Sequence, residues 1–315
     1  MLLGTLNVLL LVESPGGPAA RELDGLAARA FSEMRALEEE LSKFEPESEV
    51  SLLNYLGAEN PMVVSDELFF LLRVSREYWQ KTGGAFDPTL AHLSAAWGFD
   101  DHRGRVPSDD EITALLDRAG MDGVVLEEAT QSVFLSRPGL AVDLGGIGKG
   151  YIIDRAVRVL RESGVEAGAF LSGRSSLVFW GRPGPDDYWR VGVSDPREAD
   201  RICLEFEVEE GAVSSSSPSE RYFERDGVLH GHVLDPRTGR PVCHRGLGVT
   251  VWTPDAMVGD VASTALFVLG SDAGEEILGD LAPITAVFLD EDPGNTGEAR
   301  LRVVTRGDTR FRRVE

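Results

Sequence analysis

Three features of the chain predict an α+β fold. Amphipathic stretches with helical spacing dominate the first half, short β-type runs clump between residues 165 and 252, and the two kinds do not alternate as a βαβ repeat would. No internal repeat or low-complexity tract interrupts the 315 residues, and 42% hydrophobic content with 27% charged suits one large domain or two modest ones.

The apolar run Leu6 to Val12 reads as the first strand; residues 1–20 hold no Lys or Arg, so a signal peptide's basic leader is missing there. Residues 19–43 place Leu23, Leu26, Ala27, Ala30, Phe31, Met34, Leu37 and Leu41 on one helical face. A second helix starts near Ser65, with Asp66 and Glu67 in an acidic first turn and Leu68, Leu71, Leu72 and Tyr78 behind. Ser108 and Glu111 form a capping-box pattern ahead of Ile112, Leu115 and Leu116. Lys149 to Ser163 is helical again and Gly164 stops it. Strand-type runs follow at Leu177 to Trp180, Trp189 to Val193, Ile202 to Val208 and Val249 to Trp252. A helix from about Asp260 to Leu269 closes at Gly270, and the strand-like runs Ile284 to Leu289 and Leu301 to Thr305 complete the pattern.

Composition narrows the function. Lys plus Arg number 31 against 53 Asp plus Glu, a formal charge of −22, which disfavours nucleic acid and anionic lipid as partners. No run of 18 apolar residues exists, so no membrane span is expected. Cys203 and Cys243 make neither a disulfide framework nor a zinc site.

Four segments have the residue types for chemistry. Asp143-Leu-Gly-Gly-Ile-Gly-Lys149-Gly150 reads as a strand, a glycine turn and a helix start, a place where backbone N–H groups and a lysine can meet a phosphate. It lacks the Gly-Lys-Ser/Thr ending of a P-loop and the glycine spacing of a dinucleotide fingerprint. Asp260 and Thr264, four apart, share one helical face and offer hard oxygens suited to Mg²⁺, although the spacing alone favours a capping role for Asp260. His232 precedes the tight turn Asp235-Pro-Arg-Thr-Gly239 and is either a general base or a core histidine. Gly83-Gly84-Ala85-Phe86-Asp87-Pro88-Thr89, with Trp97-Gly98-Phe99 after it, suits a flat ring lying on backbone, or a plain aromatic core.

Together and in this order these segments resemble the ApbE-type FAD:protein FMN transferases. Leu3-Gly4-Thr5 resembles that family's Met-Gly-Thr, Ser42 to Asn54 its Ser-x-Phe/Tyr-x-Pro-x-Ser-Glu-x-Ser-x-x-Asn stretch, and Gly173-Arg174-Ser175-Ser176 its Gly-Gly-Ser-Ser turn. The four segments above resemble its remaining motifs, so the likeness runs from about residue 3 to 305, one domain followed by a tail at 306–315.

The resemblance implies an α+β, T-fold-related architecture of mixed sheets and packed helices with a flavin site between them. It implies transfer of FMN from FAD to a Ser or Thr hydroxyl of a target flavoprotein, with AMP released; FAD hydrolysis to FMN and AMP, or flavin binding without turnover, are the alternatives. Mg²⁺ would be held by Asp260, Thr264 and the carbonyl of Gly146, with Gly148 as the alternative. FAD would contact Ala85, Phe86 and Asp87, then Asp143 and Lys149, then Leu234 and Ser263, with Leu3 and Phe44 at its edges. His232 is the candidate base and Asp87 the fallback. An acidic surface repels FAD, so the phosphate site needs local cations, N–H groups or a metal. Leu3, Gly148, Gly259 and Arg174 depart from the family's usual Met, Ala, Ala and Gly, and Arg174 is the change that bears on substrate access. A cytoplasmic location is expected of the chain as it stands, and an exported or anchored one if its N-terminus has been trimmed.

Overall fold

A computed structural model describes residues 2–14, 16–101, 103–184, 187–218, 221–243, 246–292, 295–308 and 311–313. The first half is mainly helical: β1 (Asn7–Val12), α1 (Ala20–Leu41), α2 (Glu49–Leu56), β2 (Met62–Val63), α3 (Asp66–Lys81), α4 (Ala91–Ala96), α5 (Asp109–Leu116), β3 (Val124–Glu127), β4 (Ser132–Leu135) and α6 (Gly148–Glu162). Strands then dominate: β5 (Ala167–Ser172), β6 (Ser176–Trp180), β7 (Trp189–Asp195), β8 (Glu198–Val208), β9 (Gly211–Ser216), β10 (Tyr222–Arg225), β11 (Val228–Gly231), β12 (Leu234–Asp235), β13 (Arg240–Pro241) and β14 (Gly246–Thr253). The helix α7 (Ala256–Ile277) and strands β15 (Ile284–Asp292), β16 (Asn295–Arg306) and β17 (Phe311–Arg313) complete the chain. The α+β expectation holds.

The centre is a seven-stranded sheet in the order β1-β5-β6-β9-β14-β15-β16, antiparallel throughout. One face, through Phe170, Val178, Ala212, Val251, Ala286 and Phe288, joins the same core as buried residues of α1, α6 and α7. The other, through Ala169, Phe179, Val213, Trp252, Val287 and Leu289, packs on Val191, Val193, Leu204, Phe206 and Val208 of the small β17-β8-β7 sheet. With both faces covered, apolar and polar residues need not alternate along a strand, which is why these runs read as continuous. Within the expected tail, Phe311–Arg313 pairs antiparallel with Val208, Glu207 and Phe206.

Helices α3 and α5 begin where the sequence places them, with Ser65 and Ser108 accepting from Leu68 N and Glu111 N, whereas α7 starts at Ala256, ahead of the expected Asp260. Three segments that escaped that reading did so for physical reasons. The short helix α2 is capped by Ser48, and β5 and β9 are rich in Ala, Gly and Ser, residues with little intrinsic strand preference. Small residues are needed there: a Cβ on Gly168 would lie 2.4 Å from the Trp180 ring. The segment before the glycine turn is no strand; it is extended chain with one bridge, Leu90 to Ala141, followed by a short 3-10 turn at Leu144–Gly146.

The cap of α7 is Asp255, whose Oδ1 accepts Val258 N at 2.9 Å, so Asp260 is free of that role. Gly270 breaks the helix as expected, at φ 74°, but helical turns resume to Ile277. This helix is long and apolar enough to cross a membrane by length and composition. Its apolar residues Val261, Ala262, Ala265, Leu266 and Phe267 are instead buried in the core. Truncating the fully buried Phe170 to Ala should cost about 3–5 kcal/mol of unfolding free energy, read as a lower urea midpoint at unchanged slope.

Candidate functional site

Helices α6 and α7 meet at their N-termini, and each supplies an acceptor for the other. Gly150 N donates to Asp260 Oδ2 at 2.8 Å, while Asp154 accepts from Ala256 N and Met257 N, both at 2.9 Å. The approach is so close that a Cβ on Gly150 would stand 2.2 Å from Ala256 O. Asp260, 6% exposed, also receives Ser176 Oγ at 2.8 Å and Ser214 Oγ at 3.2 Å from the central sheet. Three of the roughly four acceptor positions of its carboxylate are thereby used. Thr264, one turn on, donates Oγ1 to Asp260 O at 2.9 Å, which leaves its lone pairs open. Gly259 makes room for this cluster, because a Cβ there would fall 2.6 Å from Ser214 Oγ.

The glycine turn is pinned from both sides. Asn54 on α2 behaves like a piece of strand: its Nδ2 donates to Val142 O at 2.8 Å and its Oδ1 accepts Val142 N at 2.7 Å. Asp143 Oδ1 accepts Gly145 N at 2.8 Å, and its Oδ2 lies 2.8 Å from Lys43 Nζ. Lys43 also reaches both oxygens of Asp100 at 2.9 Å. Burial alone would lower the Lys43 ammonium, but Asp143 and Asp100 outweigh it and hold the group above its ordinary value, charged at neutral pH. Lys149, at the first turn of α6, donates Nζ to Ser175 Oγ at 3.0 Å and pairs with no carboxylate among the described residues.

The remaining walls come from loops. Ala85 and Phe86 are buried, and Asp87 Oδ1 accepts Thr89 N at 2.8 Å and Thr89 Oγ1 at 2.5 Å. Burial pushes the Asp87 carboxyl up in spite of those bonds. Phe44 is 61% exposed, an open aromatic face, with Lys43 Nζ 4.9 Å from its centroid. Leu3 sits in a left-handed turn at φ 56°, tied by its N–H to Glu38 Oε1 at 2.6 Å.

His232 follows the β10–β11 hairpin, whose inner residues Phe223 and His230 stack at 4.9 Å beside Phe99 and Trp97. Its Nδ1 lies 3.2 Å from Arg221 O. A carbonyl only accepts, so Nδ1 carries the proton and Nε2 keeps a free lone pair. Burial, then the positive charge of Arg221, pushes the imidazole down from 6.5 to about 4, and Lys149 adds to this.

These elements surround one cleft of about 1080 Å³, with room for a dinucleotide. Each residue singled out in the sequence is there: Leu3, Phe44, Ala85, Phe86, Asp87, Asp143, Gly146, Lys149, His232, Leu234, Asp260, Ser263 and Thr264. Arg174 is exposed on the same wall. Sequence reasoning missed Lys43, Asp100 and Arg221 in the lining, and Asn54, Ser176 and Ser214 as supports. The four serines 214–217 at the end of a strand were the visible signal.

A family model described as the ApbE family matches residues 4–288. The chain belongs to the ApbE family. It is 32% identical to a FAD:protein FMN transferase of Klebsiella pneumoniae over 84% of its own length and 82% of the relative's. It is 29% identical to the protein of that name in Treponema pallidum over 93% and 85%. A solved ApbE protein of Thermotoga maritima superposes with TM-score 0.83 at 29% identity, covering 96% of this chain and 94% of that one. The flavinyl transferase ApbE of Pseudomonas stutzeri gives 0.81 at 28%, covering 95% and 90%.

The described residues contain no group of three or more His, Cys, Asp or Glu able to cage a metal. What the cleft offers is a carboxylate position on Asp260, the Thr264 hydroxyl and the Gly146 carbonyl, a hard-oxygen set that fits a cation taking its other ligands from water and phosphate, as Mg²⁺ does.

Two outcomes are expected. Lys43→Met leaves Asp100 and Asp143 facing each other unpaired and should lose about 2 kcal/mol by urea denaturation, less than a fully buried pair because both carboxylates keep some water. NMR should show His232 neutral at pH 6. Since the unfolded chain takes that proton near 6.5 and the native one near 4, this contribution to stability is complete above pH 6.5 and is lost as pH falls through that window.

Proposed function

We propose that the cleft binds FAD and that the protein moves the FMN half onto a Ser or Thr hydroxyl of an acceptor protein, releasing AMP. The observation that carries this is the convergence of Lys149, the glycine turn, the Asp260–Thr264 pair and His232 on one cleft of dinucleotide size. The names of the relatives point the same way.

The pyrophosphate lies between the glycine turn and α7, where Lys149 and the N-terminal N–H groups of α6 face developing negative charge. Asp260, Thr264 and the Gly146 carbonyl would hold Mg²⁺, which would supply positive charge against the pyrophosphate and the leaving group. The open aromatic face of Phe44 and the backbone around Ala85 and Phe86 suit flat rings. Nε2 of His232 takes the proton of the acceptor hydroxyl as its oxygen bonds the FMN-side phosphorus, the bond to the AMP oxygen breaks and AMP departs. Burial is the main cause that holds the imidazole down, and a bound pyrophosphate offsets the smaller part that comes from the charges of Arg221 and Lys149.

Purified protein with FAD and Mg²⁺, with and without a flavinylatable acceptor, decides the matter by intact mass and AMP release. Gain of one FMN by the acceptor, reduced on the order of 10³-fold in rate by Asp260→Ala, is expected. AMP without labelling would make the enzyme a FAD pyrophosphatase, and neither product despite tight FAD binding would make it a flavin carrier.

A further inference from the structure

Asp154 lies outside the cleft lining, yet it holds the first turn of the helix that carries Asp260 and Thr264. Gly150 and Asp154 are one turn apart on α6 and face the same partner. The first brings α6 backbone against Ala256 and donates to Asp260, and the second receives the N–H groups of Ala256 and Met257.

The surroundings oppose a charge at Asp154. Burial, then the charge of Asp255, pushes its carboxyl up to about 7, with a smaller push from Asp260, and the two N–H bonds work against them. Without Asp154, the N–H groups of Ala256, itself fully buried, and of half-buried Met257 lose their acceptor where the α6 backbone at Gly150 stands against them. The first turn of α7 must then move outward, and Asp260, one turn on, moves with it. The Gly150 bond at 2.8 Å measures the register that would be lost.

We propose that Asp154 is a positioning residue for the reaction, seating the first turn of α7 on α6 and thereby setting the Asp260 carboxylate and Thr264 hydroxyl at their working distance from the glycine turn. The inference rests on the reading that Asp260 and Thr264 hold a divalent cation. It differs from that reading in placing the decisive contact on a residue that touches neither cation nor substrate.

The test compares wild type with Asp154→Asn, which keeps the shape but can accept only through one oxygen. Mn²⁺ affinity is read by electron paramagnetic resonance with FAD present, FAD affinity is read separately in EDTA, and turnover is read as AMP release against Mg²⁺ concentration. Expected are Mn²⁺ binding weakened about tenfold or more, FAD affinity in EDTA unchanged, and turnover that excess Mg²⁺ partly restores. A general loss of folding would also weaken FAD binding in EDTA, where no metal can stabilise the native state. Asp154→Ser, with one small acceptor, carries the same measurements if the Asn variant does not accumulate folded. Equal Mn²⁺ affinity in wild type and variant overturns the inference alone. Absence of Mn²⁺ binding by wild type overturns the metal reading, and the inference with it.

Discussion

The reciprocal bond between the N-termini of α6 and α7 is the contact on which the site depends. Helix starts present N–H groups with no partner of their own, and here each helix satisfies some of the other's with a carboxylate. The exchange requires the backbones to touch, which Gly150 permits and any side chain there would prevent. Once the helices are locked, the glycine turn that leads into α6 and the Asp260–Thr264 face of α7 stand on either side of the same opening.

Electrostatics impose the second constraint. A protein with a formal charge of −22 has to receive a polyanion. The cleft resolves the conflict by giving its carboxylates other occupations. Asp143 and Asp100 hold Lys43, Asp87 closes a turn on Thr89, and Asp260 is covered by Gly150, Ser176 and Ser214. Lys149, by contrast, meets no carboxylate among the described residues, donates to Ser175, and keeps its charge available to a phosphate.

The central sheet provides the rigidity. Because helices cover one face and the β17-β8-β7 sheet the other, its strands are fixed by packing on both sides. That lets weak strand formers such as Gly211–Ser216 run through the middle and present hydroxyls to the cleft wall. A serine-rich strand would be a poor choice at an uncovered edge; here it brings Ser214 to Asp260 and Ser216 to Ser263.

By itself the sequence determined the helices with strong apolar faces and clear caps, such as those starting at Ser65 and Ser108, and its motifs marked many of the residues around the cleft, from Leu3 to Thr264, though not Lys43, Asp100 or Arg221. Those signals are local: a period, a cap or a glycine turn is complete within a few residues. Tertiary structure decided what depends on distance in space. It made Asp260 a buried cluster centre in place of a cap, used Lys43 to bind two acids from separate segments, and brought Asp154 against a helix a hundred residues later. It also made strands of Ala167–Ser172 and Gly211–Ser216, which the sequence reading did not single out because small residues dilute their strand signal. Each of these outcomes is a packing or hydrogen-bonding balance among groups remote along the chain, and no pattern within a single segment carries that information.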